Sequence, residues 1–293
     1  MRALRIGGGV ILGLVVLAWA TDSLWAIPLI VHAPNAEGAS IDAVPNDAEV
    51  LDVFRDERIA AWVLSPPVEP RGTVVVLHGI RDRKASMLPL GRQVVERGFR
   101  AVLVDLRGHG ASSGAHLTYG VRDREDLSAV LDAMSLRGLL VEPIAVHGTS
   151  YGAATALLFG AHDPRVDAVV SLAPFASLRE VVPTYATLMF GPLGHALPDA
   201  WVQDVIDRAG ETAGFDPDQA CPRCAAATFQ GALFLAHGDA DRRIPPWHGD
   251  RIEHARGDLP LQRRIYAGAH HGTIGGEARR DALDFLDQVM VLD

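Results

Sequence analysis

Along most of the chain, short unbroken apolar runs alternate with longer stretches in which apolar and polar residues mix. Thr73-Val74-Val75-Val76-Leu77-His78 is apolar almost throughout, the pattern of a strand covered on both faces. Similar runs predict strands at 99–105, 143–147, 167–172 and 232–237, and 261–266 reads as the last strand of the series. Between and after them, mixed stretches predict helices at 86–97, 121–136, 151–161, 247–256 and 277–290. Ahead of this series, Glu49–Phe54 and Ile59–Ser65 read as a hairpin around the charged turn Arg55-Asp56-Glu57-Arg58. Repeated strand–helix units predict an α/β fold, a mostly parallel central sheet flanked by helices. Residues 174–220 break the alternation. They carry Phe175, Tyr185, Met189, Phe190, Leu193, Leu197, Trp201 and Phe215, interrupted at Gly191-Pro192 and Leu197-Pro198.

The N-terminus follows another pattern. Arg2 and Arg5 precede an apolar stretch, Ile6–Ala20, and a second apolar piece, Leu24–Val31, contains Pro28. A basic start before an apolar run has the form of an export signal, and Ala18-Trp19-Ala20 offers a cleavage site. Ile6–Ala20 alone is shorter than the ~20 residues a spanning helix needs. Leu24–Val31 continues the apolar character, so residues 1–31 are expected to be a membrane anchor or a signal peptide. Under the positive-inside rule the rest of the chain faces outward in either case, membrane-anchored or secreted. Residues 32–47, with Pro34, Asn35, Gly38, Pro45 and Asn46, read as a linker, and 48–293 as the catalytic domain.

Composition narrows the picture. The chain has 293 residues, 48% hydrophobic, with a formal net charge of −9. That suits one large core. It carries no basic stripe, which argues against a nucleic-acid partner. The two cysteines form Cys221-Pro222-Arg223-Cys224. A structural zinc site needs a second pair, and a redox pair is expected after a strand in a thioredoxin-like unit. A short-loop disulfide in an exported chain is the preferred reading; two buried thiols are the alternative.

The candidate chemistry begins at Ile144-Ala145-Val146-His147-Gly148-Thr149-Ser150-Tyr151-Gly152-Ala153. An apolar run ends in G-x-S-x-G and a small-residue helical run follows. In that context the sharp turn lifts Ser150 above the sheet. The glycines remove side chains that would clash. The N–H of Tyr151, at a helix N-terminus, points where an oxyanion would form. Later segments supply a carboxylate, Asp239 or Asp241 in His237-Gly238-Asp239-Ala240-Asp241-Arg242-Arg243-Ile244-Pro245, and an imidazole, His270 or His271 in Gly268-Ala269-His270-His271. A serine hydroxyl needs such a base, and the base needs such a carboxylate.

The order nucleophile, acid, histidine resembles the α/β-hydrolase superfamily, serine hydrolase type. The likeness runs from about Ala48 to the C-terminus and extends to membrane-anchored or exported bacterial members with a short cap. It rests also on His78-Gly79 and on Asp105-Leu106-Arg107-Gly108-His109-Gly110-Ala111-Ser112-Ser113-Gly114. The resemblance places the acid at Asp241 and the base at His271. Asp239 is then a turn residue, and His270 a neighbour that orients the loop. It places a second oxyanion N–H at Ile80. It makes 174–220 a cap whose apolar residues line an acyl pocket or pack on the sheet edge. His78, His147 and His237 are expected to hydrogen-bond neighbouring loops, and Asp105 and Arg107 to fix the loop beneath the site. Gly108-His109-Gly110 lacks the spacing of a dinucleotide fingerprint.

The implied activity is cleavage of carboxylic esters or related acyl compounds through an acyl-enzyme, on a small-molecule substrate and with no metal or organic cofactor. A serine peptidase of the prolyl-oligopeptidase-like branch and a non-catalytic hydrolase-fold binding protein are the rivals.

Overall fold

A computed structural model describes residues 21–35, 38–40 and 42–291. After α1 (Asp22–Val31) come β1 (Ala48–Phe54), β2 (Arg58–Leu64), β3 (Thr73–Leu77), α2 (Leu88–Glu96), β4 (Arg100–Val104), α3 (Asp123–Leu136), β5 (Ile144–Thr149), α4 (Tyr151–His162) and β6 (Val166–Leu172). The insertion then forms α5 (Leu178–Phe190), α6 (Pro192–His195), α7 (Asp199–Ala213) and α8 (Pro222–Thr228). The chain closes with β7 (Ala232–Gly238), α9 (Trp247–Arg256), β8 (Leu261–Tyr266) and α10 (Gly275–Val289).

The strands form one eight-stranded sheet in the order β1-β2-β4-β3-β5-β6-β7-β8. β1 and β2 pair antiparallel, as does β2 with β4; all later pairs are parallel. The unbroken apolar run of β3 has its explanation here. Val75 and Leu77 enter the core on one face, with α3, α4 and α9. Val74 and Val76 enter the core on the other, with α2 and α10. Because β3, β5, β6, β7 and β8 run parallel, their C-terminal loops gather at one edge, where open α/β sheets place their sites.

One part of the N-terminal expectation, the reading of Leu24–Val31, needs correction. Ile6–Ala20, with its Ala18-Trp19-Ala20 cleavage site, lies outside the described residues. Leu24–Val31 does not continue as a membrane segment: it forms most of α1, which packs on α7 of the insertion. Ala26, Ile27, Ile30 and Val31 are buried there, and Trp25 stacks on Trp201 with centroids 5.8 Å apart. The apolar side chains leave water against protein. The start of the expected linker is also held: Ala33 N–H donates to Ala115 O at 3.2 Å, and Asn35 N–H to Gly108 O at 3.2 Å. Among the described residues, no helix is long and apolar enough to cross a membrane.

Candidate active site

Ser150 sits between β5 and α4 with φ 57° and ψ −116°. Its two glycines are sterically required. A Cβ on Gly148 would lie 2.1 Å from Gly152 O, and one on Gly152 would lie 2.4 Å from His78 O. A strand can turn into a helix this tightly only without those atoms. The Ser150 N–H donates to Leu172 O at 2.8 Å, tying the turn to the end of β6.

The structure brings the three expected side chains into one line. His271 Nε2 lies 2.8 Å from Ser150 Oγ, and His271 Nδ1 lies 2.7 Å from Asp241 Oδ2. A carboxylate only accepts, so Nδ1 carries the proton and Nε2 faces the hydroxyl. Asp241 Oδ1 accepts from the N–H groups of Arg243 and Ile244 at 2.8 and 3.0 Å. Burial disfavours charge on Asp241, but the His271 hydrogen bond and those N–H groups outweigh it and hold the carboxyl below its ordinary range. The alternatives take other tasks. Asp239 Oδ1 accepts from Gly268 N–H at 2.7 Å, joining the two loops. The His270 ring contacts Ala240 O at 2.9 Å, and the His270 backbone N–H donates to Thr273 Oγ1.

The two expected N–H donors are those of Tyr151 and Ile80. Tyr151 begins α4, so its N–H has no acceptor within the helix. Gly79, which precedes Ile80, lies beside the serine: a Cβ on it would come 3.8 Å from Ser150 Cβ. His78 fixes the peptide between Gly79 and Ile80. Leu106 N–H donates to His78 Nε2 at 3.0 Å, so Nδ1 bears the proton and donates it to Gly79 O at 2.7 Å. In a trans peptide C=O and N–H point opposite ways; holding Gly79 O therefore aims Ile80 N–H. Burial lowers the His78 pKa to about 4, keeping this tautomer neutral.

The other strand-end histidines depart from expectation. Both ring nitrogens of His147 and of His237 are buried without a protein hydrogen-bond partner among the described residues. Burial drives their pKa values to about 4 and about 3. Asp105 and Arg107 do tie loops. Asp105 pairs with buried Lys84 and accepts from Ala111 N–H at 2.7 Å. Arg107 binds Asp126 at 2.7 and 2.9 Å and Asp56 at 2.8 and 3.1 Å.

Within the insertion, Phe175 and Phe215 are buried, with centroids 6.1 and 6.3 Å from Tyr119. Met189, Phe190 and Leu193 are instead exposed. Cys221 and Cys224 form a disulfide at the start of α8. Beside it, Leu178 N–H donates to Ala220 O at 2.8 Å and Arg223 N–H to Ala176 O at 3.0 Å, fastening the root of the insertion.

Two residues escaped the sequence reading. Tyr119 N–H donates to the Tyr151 hydroxyl at 2.8 Å, and its own hydroxyl donates to Ile30 O of α1 at 2.7 Å. His248 Nδ1 accepts from Ala176 N–H at 3.2 Å, bracing the exit from β6. Only the turn-like Thr118-Tyr119-Gly120 hinted at the first; nothing in the sequence marked the second.

Comparison with known proteins agrees with this architecture. A monoacylglycerol lipase of Mycolicibacterium smegmatis is 25% identical over 258 residues, 78% of this chain and 90% of that protein. The uncharacterized protein YqkD of Bacillus subtilis is 32% identical over 120 residues, 39% of this chain; that match spans only 38% of the Bacillus protein. A solved esterase structure from Pyrococcus furiosus is similar with a TM-score of 0.69 at 17% identity, covering 89% of this chain and 98% of that one. The family model described as "Serine aminopeptidase, S33" matches residues 68–221. That match takes in His78-Gly79, the elbow and most of the insertion, and the chain therefore belongs to this family of α/β-hydrolases.

Proposed function

We propose that the chain is a serine hydrolase that cleaves carboxylic esters through an acyl-enzyme. Ser150 attacks the carbonyl while His271 takes its proton and later delivers it to the leaving group. Asp241 holds the imidazole in its tautomer and stabilises the imidazolium. The N–H groups of Ile80 and Tyr151 receive the oxyanion. The observation that carries this reading is the hydrogen-bonded line Ser150–His271–Asp241 at a glycine-bounded elbow. The choice of esters is supported by the lipase relative. The substrate is a small acyl compound, and the chemistry requires neither metal nor organic cofactor. A location on the outer side of a membrane belongs to the same proposal; its support is the arginine-led apolar stretch before Thr21.

The full chain and Ser150→Ala, treated with a fluorophosphonate probe, provide the test. Labelling of the wild type alone is expected; an unlabelled, folded wild type overturns the reading in favour of a binding protein. The family's description favours amide substrates as a second reading. Turnover of aminoacyl nitroanilides above that of p-nitrophenyl esters would select it.

A further inference from the structure

We propose that the tip of the insertion, where α5 meets α6, docks on a lipid surface and draws water-insoluble acyl lipids to the site. From Val181 to Pro198 the chain has no Asp, Glu, Lys or Arg, although charged residues make up 22% of the whole. The stretch is nevertheless open to water: Leu188 is 50% exposed, Met189 56% and Leu193 74%. Single exposed apolar side chains are ordinary. A run of them at one helical corner marks a surface that meets something apolar.

The chain's own course identifies the occupant as lipid. Phe190 lies edge-on to Trp25 of α1, with centroids 6.5 Å apart. Trp25 follows Leu24, itself 79% exposed. The uncharged sequence Ile6–Ala20 enters α1 at this same end. The apolar tip therefore lies beside the point at which the apolar sequence joins the described fold, and one bilayer surface would accommodate both. The chain carries −9 overall, so an anionic surface repels its body, while an uncharged tip approaches at no electrostatic cost. The tip ends α5, which begins at Leu178, shortly after Leu172, the residue whose carbonyl accepts the Ser150 N–H. The tip is thus joined through one helix to the strand end that holds the candidate site.

Docking itself does not depend on the chemistry; the choice of acyl lipids rests on the proposed function. In full chain bearing Leu193→Cys, the new thiol is the one labelled, because Cys221 and Cys224 are bonded. A polarity-sensitive fluorophore there is expected to shift to the blue on addition of phosphatidylcholine vesicles. The same label at Leu136→Cys, 89% exposed at the end of α3, is expected to stay unchanged. No shift at 193, or an equal shift at both positions, overturns docking. A blue shift produced by excess unlabelled protein without vesicles overturns it in favour of a second copy. A label already shielded from iodide before vesicles are added overturns it in favour of residues 1–20.

Paired turnover assays test the substrate class. Leu188→Ser with Leu193→Ser is expected to lower turnover of a vesicle-borne long-chain monoacyl ester by about ten-fold or more, the scale set by keeping one apolar side chain in water. Turnover of a short soluble ester should hold. Equal loss on both substrates overturns the lipid route. Vesicle docking without turnover of either ester by the wild type leaves docking standing and removes the proposed function.

Discussion

Arg81, Tyr119, Ser150 and Ala173 all carry a positive φ without being glycine, at 59°, 50°, 57° and 54°. Arg81 follows Ile80, Tyr119 holds Tyr151, and Ala173 follows the strand end that binds Ser150. Backbone strain of this kind persists where surroundings over-determine it, and it gathers here around one hydroxyl. Gly152→Ala tests how tightly. Its Cβ would sit 2.4 Å from His78 O and 2.8 Å from Leu77 O, so α4 must move off β3. A loss of about 1–3 kcal/mol in stability and of probe labelling is expected from denaturant titration and gel fluorescence. Labelling at the wild-type rate would contradict the tight elbow. His78→Phe keeps a ring beside His109 but releases Gly79 O and Leu106 N–H. If Ile80 N–H is the oxyanion donor proposed above, then with that donor no longer aimed kcat on a p-nitrophenyl ester should fall by about 10²-fold with KM little changed; a rise in KM alone would assign His78 to binding. The elbow was legible because its constraint is local and its residues adjacent. His78 was legible only as a loop tie, since its lever on Ile80 depends on where Leu106 arrives from another strand.

Among the elements, the central strands followed their apolar runs closely, as β3 at Thr73–Leu77 illustrates, because burial between two helical layers leaves an unbroken signature. The N-terminal piece was not legible in the same way. Hydropathy reports that Leu24–Val31 avoids water, and lipid and protein satisfy it equally. The partner that decides the matter, α7 with Trp201, lies far along the sequence. Deleting residues 1–32 is expected to expose Trp201 and remove the acceptor of the Tyr119 hydroxyl. Four buried apolar side chains leave with α1, each contributing up to about 1.5–3 kcal/mol when full-sized. Thermal melting of 33–293 beside the full chain should therefore show a lower midpoint, and ester turnover should fall with it. Equal midpoints would make α1 a passenger on the domain rather than part of its core.

At the scale of the whole molecule, five histidines are buried on or beside the sheet: His78, His109, His147, His237 and His248. Burial lowers the pKa of His109 and takes those of His78, His147, His237 and His248 to about 4, 4, 3 and 3. Unfolding restores each to its ordinary value near 6.5. Between those limits these histidines bind more protons in the unfolded chain than in the native one, so they make stability rise with pH across that window. Together they outnumber Asp126, whose pKa burial raises to about 6 and which acts in the opposite direction. Their contribution is fully present above about pH 6.5 and is lost as pH falls toward 4. Each histidine that differs between the two states adds about 1.4 kcal/mol per pH unit to the slope. Asp241 adds nothing in this window: its depressed pKa keeps it ionised until the pH drops below the ordinary carboxylate range. Urea midpoints measured from pH 8 to pH 4 should thus hold nearly level and then fall steeply below about 6.5. His147→Phe, which removes a ring whose two nitrogens have no protein partner, should flatten that fall without touching the line Ser150–His271–Asp241. A descent as steep in the variant as in the wild type would mean that His147 binds its proton in the native fold as readily as in the unfolded chain. The acid sensitivity would then belong to the remaining four, which sit on or against the loops that carry the candidate site.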